Sequence, residues 1–453
     1  MRIMNWKIKI LTAFMCVLFG SLQLMAQDTT NTQAVDLSLS QAIEIALESN
    51  YGLKVFDNNI KIAENNVTLG NAGFLPDLNG NAGGNWQIEN VDQVFLDGRQ
   101  NSRAGARSNV LGASADLVWT VFDGLGMFRR YEQFAEIRSQ KNLLWRQEAE
   151  FLIADVVLNY YQVVLESRKV EVLHNTLNFS KDRLKLARDR YELGKGSKLE
   201  FLQAQVDYNQ DSSALMVQQN ALLQSKINLN TLLARPPRDL FAITDSIPSL
   251  KQFDLVELRD LTLYNNSTLE ILRKGENISL LEIQRIQAER WPRINVEAAY
   301  SYQKFESQAG FLSSNRTDGL NYGLRATVPI FNGSNINRRV QNARIQQKNT
   351  QLQIKQEMLN VNADLESNYT SYERALAVVQ LERKNLSVAH ENAEIAFERY
   401  RLGKSNPVEL RQAQINAQNA ETRLLDAVFA AKSLEIELIR LSGQLLQRGG
   451  ETN

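Results

Sequence analysis

Arg190-Tyr191-Glu192-Leu193-Gly194-Lys195 recurs 209 residues later as Arg399-Tyr400-Arg401-Leu402-Gly403-Lys404. At the same offset Glu200, Gln203, Ala204 and Gln205 meet Glu409, Gln412, Ala413 and Gln414, and upstream Val121-Phe122-Asp123-Gly124 meets Ile330-Phe331-Asn332-Gly333. Chance does not hold one register over so many positions. The period far exceeds the roughly 20 to 50 residues of a solenoid unit. The chain therefore reads as a tandem duplication of a whole structural unit, residues 27–235 and 254–443. Residues 236–253, opening on Pro236-Pro237, form the linker between the copies, and 444–453 form a tail.

Leading into each Gly-Lys turn is a stretch with neither glycine nor proline, Met127 to Leu193 and Ser334 to Leu402. Either would be a helix about 100 Å long, expected over about 126–193 and 334–402. In the first, Leu158, Leu165, Val172, Phe179 and Leu186 recur every seventh residue, and Val156, Val163, Val170, Leu177 and Leu184 make a second seam. Leu365, Tyr372, Val379, Leu386, Ala393 and Tyr400 repeat the spacing in the second copy. Heptads of this length mean coiled-coil packing, and two seams on one helix mean neighbours on two sides, hence a sheet or ring of helices. Return helices follow the turns over about 197–235 and 407–442. Shorter helices, Leu39 to Gly70 and Asp254 to Arg290, fill the remaining length.

Ahead of each long helix lie two candidate strands, about 77–90 and 109–122 in the first copy and 292–305 and 320–331 in the second. Leu320, Tyr322, Leu324, Ala326 and Val328 alternate with Asn321, Arg325 and Thr327, and Leu111, Ala113, Ala115, Leu117 and Trp119 alternate with Ser114, Asp116 and Thr120. A soluble sheet with one wet face gives the same alternation. Four such strands, rich in Trp and Tyr and each reaching the ~9 to 11 residues of a membrane strand, also fit a lipid-facing sheet. The connections Leu96 to Ser108, with Arg99, Arg103 and Arg107, and Glu306 to Gly319 are read as polar outer loops. Gly80 to Gly84 (GNAGG) follows no phosphate-loop context, so its glycines are read as room for close strand packing.

Residues 1–26 carry Arg2, Lys7 and Lys9 ahead of the apolar run Ile10 to Leu24, with Met25-Ala26-Gln27 behind it. That is the pattern of a secretory signal peptide; an N-terminal membrane anchor is the alternative, and Cys16 lies too far inside the run for a lipid-anchored cysteine. Cys16 is the single cysteine of the 453 residues, so a mature chain has no thiol chemistry. No later stretch offers the roughly 18 apolar residues of a spanning helix, so a membrane form must be a β-barrel. Four strands cannot close one, since the smallest have about eight, so the barrel must be shared between two or three chains.

Balanced charge, 51 basic and 51 acidic residues, gives no basic footprint for nucleic acid. The only histidines, His174 and His390, do not align under the 209 offset and belong to no metal-ligand spacing. The sequence offers no catalytic, cofactor or metal constellation, and the chain is expected not to be an enzyme.

These features resemble the TolC-like family of outer-membrane efflux channels over nearly the whole mature chain. The resemblance is carried by Arg-Tyr-x-Leu-Gly-Lys followed by Leu199-Glu200-Phe201-Leu202-Gln203-Ala204-Gln205 or Val408-Glu409-Leu410-Arg411-Gln412-Ala413-Gln414. Val328-Pro329-Ile330-Phe331-Asn332-Gly333 adds to it. It implies an α+β membrane protein: a homotrimer in outer-membrane lipid, with a twelve-stranded barrel continued by a periplasmic α-helical barrel. Its partners would be a periplasmic adaptor and an inner-membrane transporter that supplies the energy. By the same resemblance Tyr400 and Glu200 match a hydrogen-bonded pair that helps hold the tips closed. Glu409 matches the first of two acidic ring positions, and Gln412 stands where the second would be. The turns Leu193, Gly194, Lys195 and Leu402, Gly403, Lys404 would face the adaptor. Glu200 and Glu409 are equally readable as solvated first-turn charges stabilised by the helix dipole. A secreted soluble coiled-coil scaffold, or the same channel serving type I protein secretion, are the alternative functions.

Overall fold

A computed structural model describes residues 35–448; the segment 1–26 and the end of the tail, 449–453, lie outside the described residues. In chain order the elements are β1 (Val35–Asp36), α1 (Leu39–Ser49), α2 (Tyr51–Asn66), α3 (Leu69–Ala72), β2 (Asp77–Val94), β3 (Gln100–Phe122), α4 (Gly126–Glu192) and α5 (Lys198–Leu232). The second half comprises β4 (Phe241–Ala242), α6 (Leu255–Asn265), α7 (Ser267–Ala288), β5 (Arg293–Ser307), β6 (Ser314–Thr327), α8 (Asn335–Arg401), α9 (Pro407–Leu441) and α10 (Leu445–Arg448).

The two long helices have 67 residues each. No helix among the described residues is long and apolar enough to cross a membrane. Both long helices stop at the repeated Gly-Lys motif for one reason. Gly194 and Gly403 take left-handed φ values of 71° and 70°. Lys195 N–H then reaches back to the Arg190 carbonyl (2.8 Å) and Lys404 N–H to that of Arg399 (2.9 Å). This is a Schellman cap, in which glycine carries no steric penalty. Three residues on, Ser197 and Asn406 cap the return helices, accepting from the backbone N–H of Glu200 (3.1 Å) and Glu409 (2.8 Å).

Helix α4 has neighbours on both sides, as its two seams require. It packs on α5 and α9 toward the Gly-Lys turns and on α2 and α7 in the other half. Helix α8 packs on α9, α7 and α6. The main core lies at mid-height, where Val156, Tyr160, Leu229, Leu233 and Phe241 are essentially inaccessible. There β1 and β4 pair in parallel, and Tyr160 Oη donates to the Leu37 carbonyl (2.9 Å). Tyr369, its counterpart at offset 209, donates to the Phe253 carbonyl (3.3 Å).

The shorter helices expected over Leu39 to Gly70 and Asp254 to Arg290 are each broken, at Asn50 and at Asn266. Both asparagines leave helical geometry to become N-caps of the next segment. Apolar periodicity continues through the breaks, so it does not reveal them.

The four long strands form one antiparallel sheet in the order β2-β3-β5-β6. They differ in extent from the expected strands. Strand β3 begins at Gln100 and β6 at Ser314, so most of the segments read as outer loops are paired backbone, and the turns shrink to 95–99 and 308–313. Ladder hydrogen bonds need no apolar alternation, so pairing runs on where the sequence turns polar. At its other end β6 stops at Thr327 instead of continuing to 331, shortly before Pro329, which has no N–H to give a ladder. In the GNAGG segment only Gly84 is tightly packed: a Cβ there would lie 2.6 Å from the Trp86 ring, whereas Gly80 and Gly83 have open space.

Candidate functional site

The pairing register puts the alternating apolar residues of all four strands on one face. Leu78, Leu117, Ala298 and Tyr322 form one cross-strand row and Gly80, Ala115, Tyr300 and Leu320 the next in that face. Between them lies the polar row Asn79, Asp116, Ala299 and Asn321. The polar face is cross-linked: Asn81 donates to Asp116 (2.6 Å), Thr120 to Asn295 (3.1 Å), and Arg325 grips Glu297 through two contacts of 2.7 and 3.0 Å. On the other face Leu78, Trp86, Ile88, Leu320, Tyr322 and Leu324 are exposed. An apolar face that water would touch over four strands marks contact with lipid or another chain.

At the opposite end of the molecule the Gly-Lys turns protrude. Leu193 and Leu402 are exposed at their tips, as are Lys195 and Lys404. Just behind them Tyr400, 1% exposed, donates from Oη to Glu200 Oε1 across 2.6 Å and so ties α8 of the second repeat to α5 of the first. Arg190 completes the junction. Its guanidinium lies 4.9 Å over the Tyr400 ring, donates to the Tyr400 carbonyl (3.3 Å) and sits 3.8 Å from Glu200. Burial, reinforced by the bond to Glu200, pushes the Tyr400 phenol up to about 12.

Glu409 is placed differently. It is 41% exposed in its side chain and held by its own repeat, accepting from Arg399 (2.7 Å) and Ser405 (2.8 Å). Gln412 donates along its helix to Asn416 (3.0 Å), and it lines a small pocket with Glu200, Tyr400, Arg183 and Arg411.

Two to three turns further in along α4 and α5 lies a polar cluster that the sequence reading missed. Arg411 of α9 grips Asp211 of α5 with two 2.8 Å contacts, Ser180 of α4 donates to the same carboxylate (2.5 Å), and Arg183 of α4 pairs with Asp207. Arg183 is 3% exposed, and burial lowers its pKa. The cluster gives no sequence signal, because each residue alone looks like part of a solvated helix face. The histidines sit apart from both sites: His174 contacts Asn178 (3.1 Å), and His390 lies 3.8 Å from Glu421. No group of three or more metal-ligating side chains occurs among the described residues.

Several heptad positions have no partner among the described residues. On α8, Ile345, Leu352 and Leu359, then Leu381, Val388 and Ile395, are exposed at seven-residue spacing. On the opposite edge of the helical layer the exposed residues are Tyr51, Val55 and Ile62 of α2 and Leu199, Leu202, Val206, Met216 and Leu223 of α5. The sheet has the matching incompleteness, with β2 and β6 as its edges.

Comparison with known proteins places this architecture. The outer membrane efflux protein family matches residues 42–235 and 258–444. The proteases secretion protein PrtF of Dickeya chrysanthemi is 19% identical over 400 residues, covering 87% of this chain and 85% of that protein. The alkaline protease secretion protein AprF of Pseudomonas aeruginosa is 23% identical, covering 73% and 66%. Among solved structures the Campylobacter jejuni CmeC outer membrane channel superposes with a TM-score of 0.74 at 14% identity, covering 93% of this chain and 90% of that one. Matched in both halves, the chain belongs to the outer membrane efflux protein family and is an outer-membrane efflux or secretion channel that extends into the periplasm.

Proposed function

We propose that three copies of this chain close into one continuous duct, a twelve-stranded barrel in the outer membrane above an α-helical tube. The observation that carries this reading is the pairing of unfinished edges. Strands β2 and β6 run in opposite directions at the two edges of the sheet. The β6 edge of one copy can therefore pair antiparallel with the β2 edge of the next without reversing either. The exposed α8 seam lies on the β6 side of the chain and the α2 and α5 seams on the β2 side, so one rotation buries both kinds of edge. An interface that joins unlike edges closes only as a ring. Edge closure alone admits eight strands or twelve; the resemblance to TolC-like channels selects twelve. Native mass spectrometry in detergent tests this, with a trimer expected and a dominant monomer excluding the shared barrel.

The duct is passive. Energy and cargo choice belong to an inner-membrane transporter, coupled through a periplasmic adaptor that meets the exposed turns Leu193-Gly194-Lys195 and Leu402-Gly403-Lys404. The junction of Tyr400, Glu200 and Arg190 restrains the tips in the closed position. Two relatives bear protease-secretion names, which supports exported polypeptides as a cargo class beside small molecules. Isolating the adaptor and transporter that co-purify with the chain distinguishes the two cargo classes.

A further inference from the structure

We infer that the outer end of the apolar sheet face carries a binding site for the phosphate groups of anionic lipid in the outer leaflet. The inference rests on the lipid-facing reading of the sheet. On β5 the apolar face runs through Ile294, Val296, Ala298, Tyr300 and Tyr302, and the next residue on that face is Lys304. Lys304 is the direct cross-strand partner of Arg316 on β6, and the Arg316 guanidinium lies 5.3 Å from the centre of the Tyr302 ring, which confirms that the two share a face. Arg107 of β3 follows further out on the same face, exposed and in no ion pair among the described residues.

Depth is the second, independent observation. From Ile294 to Lys304 a strand tilted as in membrane barrels rises roughly 25 Å, which is about the height of the lipid-facing apolar band. Lys304 and Arg316 therefore stand where hydrocarbon gives way to headgroups, one row above Tyr302, an aromatic of the kind that marks that boundary. Since the helices lie in the periplasm, the hairpin ends are the outer ends, and the headgroups are those of the outer leaflet.

Acidic neighbours are present. Glu306 lies 2.7 Å from Lys304 and Asp318 3.9 Å from Arg316, but the side chains of Lys304 and Arg316 remain 42% and 69% exposed. Pairs this exposed hold loosely, so a lipid phosphate can enter between Lys304 and Arg316, and Arg107, two rows further out beyond Glu306, can take a second phosphate of the same lipid, while the stems of the basic side chains lie along the apolar surface.

The test is native mass spectrometry of the detergent-purified protein titrated with diphosphoryl lipid A, with phosphatidylethanolamine and inorganic phosphate as separate arms. A basic residue at an anionic surface is worth about five-fold in affinity, so K304Q/R316Q/R107Q should weaken lipid A binding roughly 100-fold. R99Q, which removes a charge from the hairpin turn, and the charge-preserving K304R/R316K should bind at the parental level. Parental binding by the triple glutamine variant overturns the inference, as does an equal loss in R99Q or displacement of lipid A by an equal concentration of inorganic phosphate. Retained phosphatidylethanolamine binding with no preference for lipid A overturns the phosphate site alone. Failure of every lipid to bind overturns instead the lipid-facing reading beneath it.

Discussion

Asn50 and Asn266 do the same two jobs in the two repeats. Each caps a helix through its Oδ1, Asn50 accepting from Leu53 N–H (3.2 Å) and Asn266 from Thr268 and Leu269 N–H (3.1 and 3.2 Å). Each also donates from Nδ2 to the last turn of a return helix, at the Leu232 carbonyl (3.1 Å) and the Leu441 carbonyl (3.2 Å). One side chain thus satisfies an orphan donor of one helix and an orphan acceptor of another. It splices the half-length return helix to the helix that completes the wall.

Replacing either asparagine by alanine should destabilise the mid-height belt. Asn266 is 5% exposed, so Asn266→Ala should cost about 2 to 3 kcal/mol, a lost cap plus a buried unpaired carbonyl. Asn50 is only half-buried, and its loss should cost about 1 to 2 kcal/mol. Asn266→Asp keeps the cap and loses the donor, so it should fall between. Thermal unfolding of the purified protein ranks the three; equal melting temperatures would refute the splice.

Glu150 is 4% exposed on α4, accepting from Ser267 (2.6 Å) and from Arg146 (3.1 Å). Burial outweighs both partners and raises its pKa. A raised carboxyl pKa means that the fold favours the protonated form. That contribution is complete below the unfolded value and is lost as pH rises through the folded one, so at neutral pH the buried carboxylate is a cost. Glu150→Gln should therefore raise the melting temperature at pH 7 relative to the parent, and the gain should vanish near pH 4. Arg146 keeps Glu270 at 3.8 Å in the variant. A variant less stable at pH 7 than at pH 4, relative to the parent, has the wrong sign and refutes the assignment.

The register makes the expected cost of charge on the sheet depend on depth. Leu320 stands in the row of Ala115 and Tyr300, near the middle of the apolar band. Leu320→Arg should cost about 2 to 4 kcal/mol per copy and block assembly. Leu324 and Trp119 lie two rows nearer the helices, and Trp119 Nε1 donates to the Phe74 carbonyl (2.8 Å). Leu324→Arg and Trp119→Asp should impair assembly less. Asn321→Lys and Thr327→Lys, on the polar face, should assemble normally. Equal tolerance on both faces, read as yield of oligomer in the membrane fraction, would mean that both faces meet water.

How much of this was legible in the sequence follows from what each signal measures. Period seven in α4 and α8 and period two in the strands report buried faces, and so the duplication, the long helices and the two-faced sheet could be read directly. Strand ends could not, because Gln100 to Arg107 pair through the backbone while their side chains follow no apolar alternation. The cluster of Arg183, Asp207, Asp211 and Arg411 was invisible for a related reason: on a helix, charged residues signal solvent unless another helix is known to cover them. Tyr400 and Glu200 were named by resemblance, but Arg190, which lies over the tyrosine ring, carried no signal beyond its place in the repeated motif.

At the tip, the bond from Tyr400 to Glu200 joins the two repeats, and its loss has a readout in ion flow. In a planar bilayer the double variant Tyr400→Phe, Glu200→Ala should raise single-channel conductance, because the tips lose a restraint between α8 and α5. Arg190→Gln should do the same to a smaller degree, since it removes the contact over the ring and leaves the 2.6 Å bond. The phenol pKa, raised to about 12, fixes the pH dependence. The protonated donor is the form that the fold favours. The restraint should therefore be complete below the ordinary tyrosine value and be lost only as pH rises toward 12, leaving parental conductance free of tyrosine titration from about pH 6 to 9. Glu409→Gln should separately lower cation selectivity, as carboxylates repeated around a narrow mouth concentrate cations. Its pairing with Arg399 and Ser405, and the neutral Gln412 where a second acidic ring would lie, make that effect modest. If conductance and selectivity both stay at parental values in all these variants, the constriction lies elsewhere along the tube, and Glu200 and Glu409 serve only as first-turn charges of the return helices.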